Sequence, residues 1–263
     1  MARAAWRGRI FLDAGALLYV GPGAPAAGHA HNAVQLVWSV DNAFELTVAG
    51  RRLQRSAVLV PSAARHALDA TGSIIASLLV ESHDARGAAL DIAARRENYR
   101  DLTTALTDVP FPSQDLDAQD VAAQCDRIVA ALGVVVTNAP ITAITRRAIG
   151  YIERHLDGVP RVTDVARQLS VSTTRVTHLF TSEVGIPFRR FVLWTRIKRA
   201  VEAHRASRNV TAAAIDAGFS DAAHFSRTFR AMFGLSPSLV LPVAEIIGRA
   251  WNAPVCVTRR RGL

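Results

Sequence analysis

Up to about residue 80 the apolar positions fall into short runs broken by turn residues. Val34 to Trp38, Phe44 to Val48, Ser56 to Val60 and Ile74 to Val80 are β-rich. Asp41-Asn42, Ala49 to Arg51, Pro61-Ser62 and Thr71 to Ser73 separate them. Ile10 to Leu12 and Ala14 to Val20 add two earlier strands, ahead of a turn at Gly21 to Pro25. Even spacing with turn residues between runs predicts a small barrel or double-sheet jelly roll. After Asp84 the spacing becomes helical. Ala89-Leu90 with Ala93-Ala94, and Leu102 with Leu106, predict short helices before the Pro110 to Pro112 break. Asp117 to Leu132 predicts a longer amphipathic helix with Val121, Cys125, Ile128, Val129 and Leu132 on one stripe.

In the last third one pattern occurs twice. Each copy predicts a short helix, a tight turn and a second helix. Ala166 and Ala214 are the small residues at the helix crossings, and Val171 and Phe219 plug the core after each turn. Ser172 and Asp221 are placed to N-cap the second helices. Val176 and Phe180 lie four and eight residues past the first cap, as Phe225 and Phe229 do past the second. Those spacings share one helical face. Two helix-turn-helix units in one chain point to a DNA reader.

The stretch from Gly218 through Phe219, Phe225, Arg227, Phe229, Phe233 and Gly234 to Ser236-Pro237 resembles the signature of the AraC family of bacterial transcriptional regulators. The resemblance covers roughly residues 141 to 241 and includes the Gly185-Ile186-Pro187 start of a linker helix and the Arg196 to Ala200 spacing. Ser170 stands where a glycine is common, Ala213 where a larger aliphatic is usual, and Val240-Leu241 where an aromatic–arginine pair is usual. The resemblance implies an α+β multidomain chain. An N-terminal cupin-like β-barrel or jelly roll carries a helical extension, and a C-terminal all-α domain holds the two helix-turn-helix units. The expected boundaries are 1–83 for the barrel, 84–140 for the helical dimerisation and linker region, 141–241 for the DNA-binding domain and 242–263 for a C-terminal extension.

Charge sharpens this division. The 263 residues carry a net charge of +9, split as −2 over residues 1–140 and +11 over residues 141–263. A basic half beside a mildly acidic one suits a polyanionic partner. Cys125 and Cys256 make no disulfide framework, and no apolar run approaches the ~18 residues of a membrane span. Arg7 and Arg9 before an apolar stretch mimic a secretion signal, but Asp13 interrupts it. The expectation is a cytoplasmic protein without membrane contact.

His29, His31, Gln35 and His66 resemble the two metal-binding motifs of cupins, in which such residues converge inside the barrel. Regulatory cupins of this kind are usually metal-free sensors. The four residues, with Trp38, are therefore expected to contact an effector, and no metal or cofactor is assigned. Few charges interrupt the barrel runs, so the effector is expected to be partly apolar and uncharged or singly charged.

On the first recognition helix Thr173, Thr174, Thr177 and His178 point away from the apolar face; on the second, Ala222, Ala223, Arg227 and, at the margin, His224 do so. Arg227 suits guanine, the histidines suit purine or cytosine edges, and Thr and Ala methyls suit thymine. Arg175, Arg189, Arg190 and Lys198 suit phosphates. The linker helix, from Phe188 to about Arg205, would hold the readers roughly 27 Å apart, near one DNA turn.

The reading is a non-enzymatic, sequence-specific transcription regulator controlled by a small molecule. Double-stranded DNA and the effector are its expected partners, RNA polymerase is a candidate, and the 117–132 helix is the expected seam of a homodimer. Two alternatives stay open: a metal-dependent cupin enzyme fused to a DNA-binding domain, and an orphan regulator whose N-terminal domain only dimerises.

Overall fold

In the computed structural model, residues 6–112, 119–137 and 141–248 are described. Nine strands open the chain: β1 (Arg9–Asp13), β2 (Ala16–Pro22), β3 (Pro25–His29), β4 (Ala33–Ser39), β5 (Phe44–Val48), β6 (Arg51–Arg55), β7 (Ala57–Val60), β8 (His66–Asp69) and β9 (Ile74–Glu81). Helix α1 (Ala85–Ala94), strand β10 (Arg100–Asp101) and helix α2 (Gln119–Ala131) follow. The C-terminal region holds α3 (Ala143–Arg154), α4 (Val162–Leu169), α5 (Thr173–Leu179), α6 (Phe188–Ser207), α7 (Val210–Asp216), α8 (Ala222–Phe233) and α9 (Pro237–Val240). A last strand, β11 (Glu245–Gly248), closes the described chain.

The strands form two sheets. The larger runs β10-β7-β4-β9-β2-β1-β11 and the smaller β3-β8-β5-β6. This is the expected double-sheet barrel with a helical C-terminal region. The central strands β2, β4 and β9 are buried on both faces, which is why their sequences read as apolar runs rather than alternations. Along β4, Ala33 and Val37 face the space between the sheets, while Val34, Leu36 and Trp38 face outward. The outward side is covered by α1 and α2, through Leu90, Ala94, Val121, Cys125 and Ile128. By contrast β5 has one wet face: Phe44, Leu46 and Val48 are buried, and Glu45 and Thr47 are half-buried.

Several expectations change here. Leu106 lies in a run of turns that Leu102 just precedes, not in a helix. The long helix begins at Gln119; the expected start at Asp117 lies outside the described residues. Its stripe is not a free seam. Val121, Cys125 and Ile128 are fully buried against the chain's own large sheet. A dimer through that face has nothing left to pair, because the barrel has already taken it. The extension expected from residue 242 returns to the barrel instead: β11 pairs in parallel with β1, from Arg9–Glu245 to Leu12–Gly248. Cys256 and the basic Arg259 to Arg261 end lie outside the described residues.

The C-terminal helices have two cores. The first reader packs α3, α4 and α5 around Ile152, Val165, Val176, Phe180, Phe188 and Phe191. The second has no separate core: Ala214, Phe219, Phe225, Phe229 and Met232 are continuous with the barrel interior. Linker helix α6 serves both, and buries Phe191 with one reader and Trp194, Ile197 and Val201 with the other. At 20 residues it is about 30 Å long. Pro187 is its N-cap, one position ahead of the expected first turn.

Candidate functional site

Both recognition helices start where the sequence places them. The Ser172 hydroxyl accepts from the Arg175 N–H at 3.1 Å, and the Asp221 carboxylate accepts from the His224 N–H at 2.6 Å. Each removes an orphan donor of the first helical turn. Gly218 is required in the second turn. Its φ is +84°, and a Cβ there would meet the Leu156 carbonyl at 2.5 Å. In the first turn Ser170 takes the left-handed C-cap at φ 55° that a glycine would adopt without strain.

On α5, Thr173, Thr174, Thr177 and His178 are exposed while Val176 and Leu179 are buried. The Thr177 hydroxyl donates to the Thr173 carbonyl at 3.0 Å, so it offers a methyl and lone pairs outward. On α8, Ala223 and Arg227 are exposed, and Ala222 and His224 half-buried. The His224 ring stands edge-on to Phe219, at 5.2 Å between centroids, and lies 3.2 Å from the Ser220 hydroxyl. One groove joins the readers. Thr177 of the first and His224 of the second line it, with Arg189, Val192 and Arg196 of α6 between.

Two basic residues turn elsewhere. Arg190, expected on phosphate, donates from Nη2 to the Ala30 carbonyl of the barrel at 2.7 Å. Lys198 is 2 % exposed, with its ammonium 2.7 Å from the Glu81 carboxylate. Arg189 stays exposed.

Behind the second reader the expected barrel residues gather. His29 ends β3, His66 starts β8, and Gln35 lies on β4. His29 and His66 are paired across the small sheet. Ring centroids are 4.2 Å apart for His29–His66, 5.3 Å for His31–His66 and 5.5 Å for His29–His31. Gln35 Oε1 lies 2.8 Å from His66 Nε2 and 3.1 Å from His31 Nε2, and its amide nitrogen donates to the Ser77 hydroxyl at 2.9 Å. All three rings are held neutral. Burial first, then repulsion from the neighbouring rings, pushes His29 down to about 2 and His31 to about 3; burial also lowers His66.

Trp38 does not join them. It is three residues from Gln35 on one strand, hence on the opposite face. It packs edge-on against Phe111, at 5.8 Å between centroids.

His29, His31, Gln35 and Ser77 form the polar end of a cavity of about 90 Å³. From the barrel, Trp6, Ile10, Leu17, Tyr19, Leu68 and Leu79 line the rest; from the DNA-binding domain, Val201, Phe229, Phe233, Leu235, Val240 and Leu241 do. Sequence reasoning missed this second wall. The seam around it is tight. Ala27 N–H donates to the Gly234 carbonyl at 2.8 Å and Ala30 N–H to the Ala231 carbonyl at 3.3 Å. A Cβ on Gly234 would lie 2.2 Å from the Ala27 carbonyl oxygen. At the other end of the seam, Ser82 donates to the Val184 carbonyl at 3.1 Å and Trp194 Nε1 to Glu81 at 2.7 Å.

A helix-turn-helix domain family matches residues 165–241. The transcriptional activator RhrA of Rhizobium meliloti (strain 1021) is 34% identical over 91 residues, which is 33% of this chain and 29% of that protein. The chain thus spans less than a third of the length of this curated relative. Among solved structures, apo ToxT from Vibrio cholerae strain SCE256 aligns over 88% of this chain and 98% of its own, at TM-score 0.60 and 13% identity. ToxT from the same strain with an unsaturated fatty acid bound aligns over 88% and 96%, at 0.56 and 13%. ToxT bound to (E)-4-(8-methylnaphthalen-1-yl)but-3-enoic acid aligns over 89% and 97%, at 0.52 and 11%. At such identities the likeness is one of fold, and it extends over both domains.

Proposed function

With its C-terminal region a DNA-binding domain of the AraC type, we propose that this chain is a transcription regulator whose effector lies between the barrel and the second reader. The observation that carries this reading is the lining of the cavity by both domains. An occupant there touches Phe229 of α8 directly, and needs no relay to reach a recognition helix.

At about 90 Å³ the cavity is smaller than the ~150 Å³ hole that takes benzene in an engineered protein. An effector of more than a few heavy atoms therefore moves the lid. The second reader shares its core with the barrel and the first does not. Filling the cavity shifts α8 relative to α5, and with it the fit to two successive major grooves. A ligand acts only through its different affinities for the two arrangements.

The ligand class follows from the walls. They are apolar except for His29, His31, Gln35 and Ser77, and no Lys or Arg is among the described lining residues. The ToxT structures of the same fold hold a fatty acid and an aryl-alkenoic acid, which supports an apolar occupant. Neutral imidazoles favour a hydrogen-bonding, uncharged head over a bare carboxylate. The DNA face supports Arg227, Thr177 and His224 as base readers and Arg189 as a phosphate contact.

Decanol and decanoate test this on the full chain, with a duplex recovered from a random-sequence pool. Decanol should change DNA affinity by roughly 5–150-fold, and DNA should change decanol affinity by the same factor. Leu79→Trp, which fills the cavity, should abolish the response. A response that survives this substitution would put the sensor elsewhere.

A further inference from the structure

Each reader has a short helix ahead of its recognition helix, and the two N-caps differ. In the second reader the Asn209 side chain accepts from the Thr211 and Ala212 N–H groups at 2.9 and 3.0 Å. The same position in the first copy of the repeat is Arg161. A guanidinium has no acceptor to offer. Arg161 makes no side-chain cap bond, and its charge sits at the positive end of the helix dipole. Capping falls to the Asp164 carboxylate, which accepts from the Arg161 N–H at 3.3 Å and pairs with Arg167 at 3.5 Å. Among the described residues no carboxylate pairs with the Arg161 guanidinium, and the residue is exposed. An arginine that serves its own helix so poorly has its use outside the helix.

Its position says where. Val159, Pro160 and Arg161 line the groove that joins the readers, together with Thr177 of α5 and His224 of α8. The loop that carries them is braced from behind. Arg196 of α6 donates from Nη2 to the Gly158 carbonyl at 2.8 Å, and Arg199 pairs with Asp157. Pro160 is buried, and its ring favours an extended Val159. Val159 is 69% exposed, an apolar side chain left in the open beside the cation. With the recognition helices in successive major grooves, roughly 34 Å apart, the DNA facing the middle of this groove is a minor groove.

We propose that Arg161 enters the minor groove between the two major-groove sites and selects a narrow, A·T-rich spacer there, at base pairs that neither recognition helix touches. A narrow minor groove concentrates negative potential and attracts arginine. The guanidinium is more weakly hydrated than an ammonium and loses less on entering it. Val159 lies against the deoxyribose walls. The inference rests on the reading of α5 and α8 as DNA readers and adds a third point of recognition between them.

The test uses the full chain and a duplex recovered from a random-sequence pool, altered only in its spacer. Diaminopurine in place of adenine adds an amino group to the minor groove and leaves the major-groove edge intact. Inosine in place of guanine removes that group. Wild type should bind the diaminopurine spacer about fivefold or more weakly than the A·T spacer, and inosine should recover most of what a G·C spacer loses. Arg161→Asn, which supplies the cap that the second reader has, should keep or raise the thermal midpoint. It should bind all four spacers within about twofold of one another. Arg161→Lys keeps a phosphate contact but should lose most of the discrimination. Equal discrimination in wild type and Arg161→Asn, or a loss in Arg161→Asn that is the same on every spacer, overturns the proposal; the second result makes Arg161 a phosphate contact. A wild-type chain that holds no duplex at all overturns the DNA reading itself, and this inference with it.

Discussion

Lys198, in the helix between the two readers, sets its ammonium 2.7 Å from the carboxylate of Glu81, the last residue of barrel strand β9. Both are almost wholly buried. Trp194 donates to the same carboxylate, and His83 lies 3.3 Å from it. Burial alone would raise the Glu81 pKa, but Lys198, His83 and Trp194 together hold it below its ordinary value. The pair ties the DNA-binding domain to the barrel at the level of a formal charge.

Removing one partner strands the other in a dry seam. Glu81→Gln or Lys198→Met should each cost about 3–5 kcal/mol in denaturant unfolding of the full chain. The double variant Glu81→Leu/Lys198→Met should recover most of that. Single variants within about 1 kcal/mol of wild type would mean that water reaches the pair.

Acid should weaken the protein in two windows. His29, His31 and His66 have folded pKa values below their ordinary 6.5, so the unfolded chain binds protons first. Their contribution is complete above about pH 6.5 and is lost as pH falls toward the folded values, at up to about 1.4 kcal/mol per pH unit per ring. Glu81, also depressed, adds its loss only below the ordinary carboxylate range. Urea unfolding between pH 7 and 5 should show a slope that His66→Gln reduces. A flat profile there would mean the rings are charged or solvated in the fold.

On DNA, Arg227→Ala should cost about 1–3 kcal/mol and relax preference at one base position. Arg189→Ala should weaken all sequences alike and lower the salt slope by about 1. Binding titrations on specific and random duplexes at several salt concentrations separate the two. Equal losses on both duplexes for both variants would contradict the division of roles.

Ser170 holds a left-handed C-cap at φ 55° without a glycine's freedom. Ser170→Gly should stabilise the full chain by about 0.5–1 kcal/mol, read as a higher thermal midpoint. Unchanged or lower stability would mean that the serine side chain compensates for the strain.

Local chemistry was the legible part of the sequence. The doubled helix-turn-helix, both N-caps and the inward Phe225 and Phe229 follow from spacing and cap residues alone. Strands β3, β6, β8, β10 and β11 were not legible. Pro25 to His29 offers no large aliphatic or aromatic residue and His66 to Asp69 only Leu68, too few for a period, yet they bring His29 against His66. An apolar stripe says that a face is covered but not by what, so α2 read as a dimer seam. Trp38 was misassigned although strand parity, three residues from Gln35, already separates their faces. Nothing local marks Arg190 and Lys198 as seam residues. Their partners, Ala30 and Glu81, lie far away in the chain, and a basic residue in a DNA-binding domain reads by default as a phosphate contact.

The account rests on the second reader being the lid of the barrel cavity, and amide hydrogen exchange across the seam tests that most directly. The Ala27 and Ala30 N–H groups are bonded to Gly234 and Ala231 across the domains. Peptides covering 24–32 and 229–236 should exchange slowly in the full chain. Both should change together on adding decanol, over the concentration range that alters DNA affinity. Seam amides that exchange as freely as an open loop, or a change in DNA affinity that leaves both peptides untouched, would contradict it.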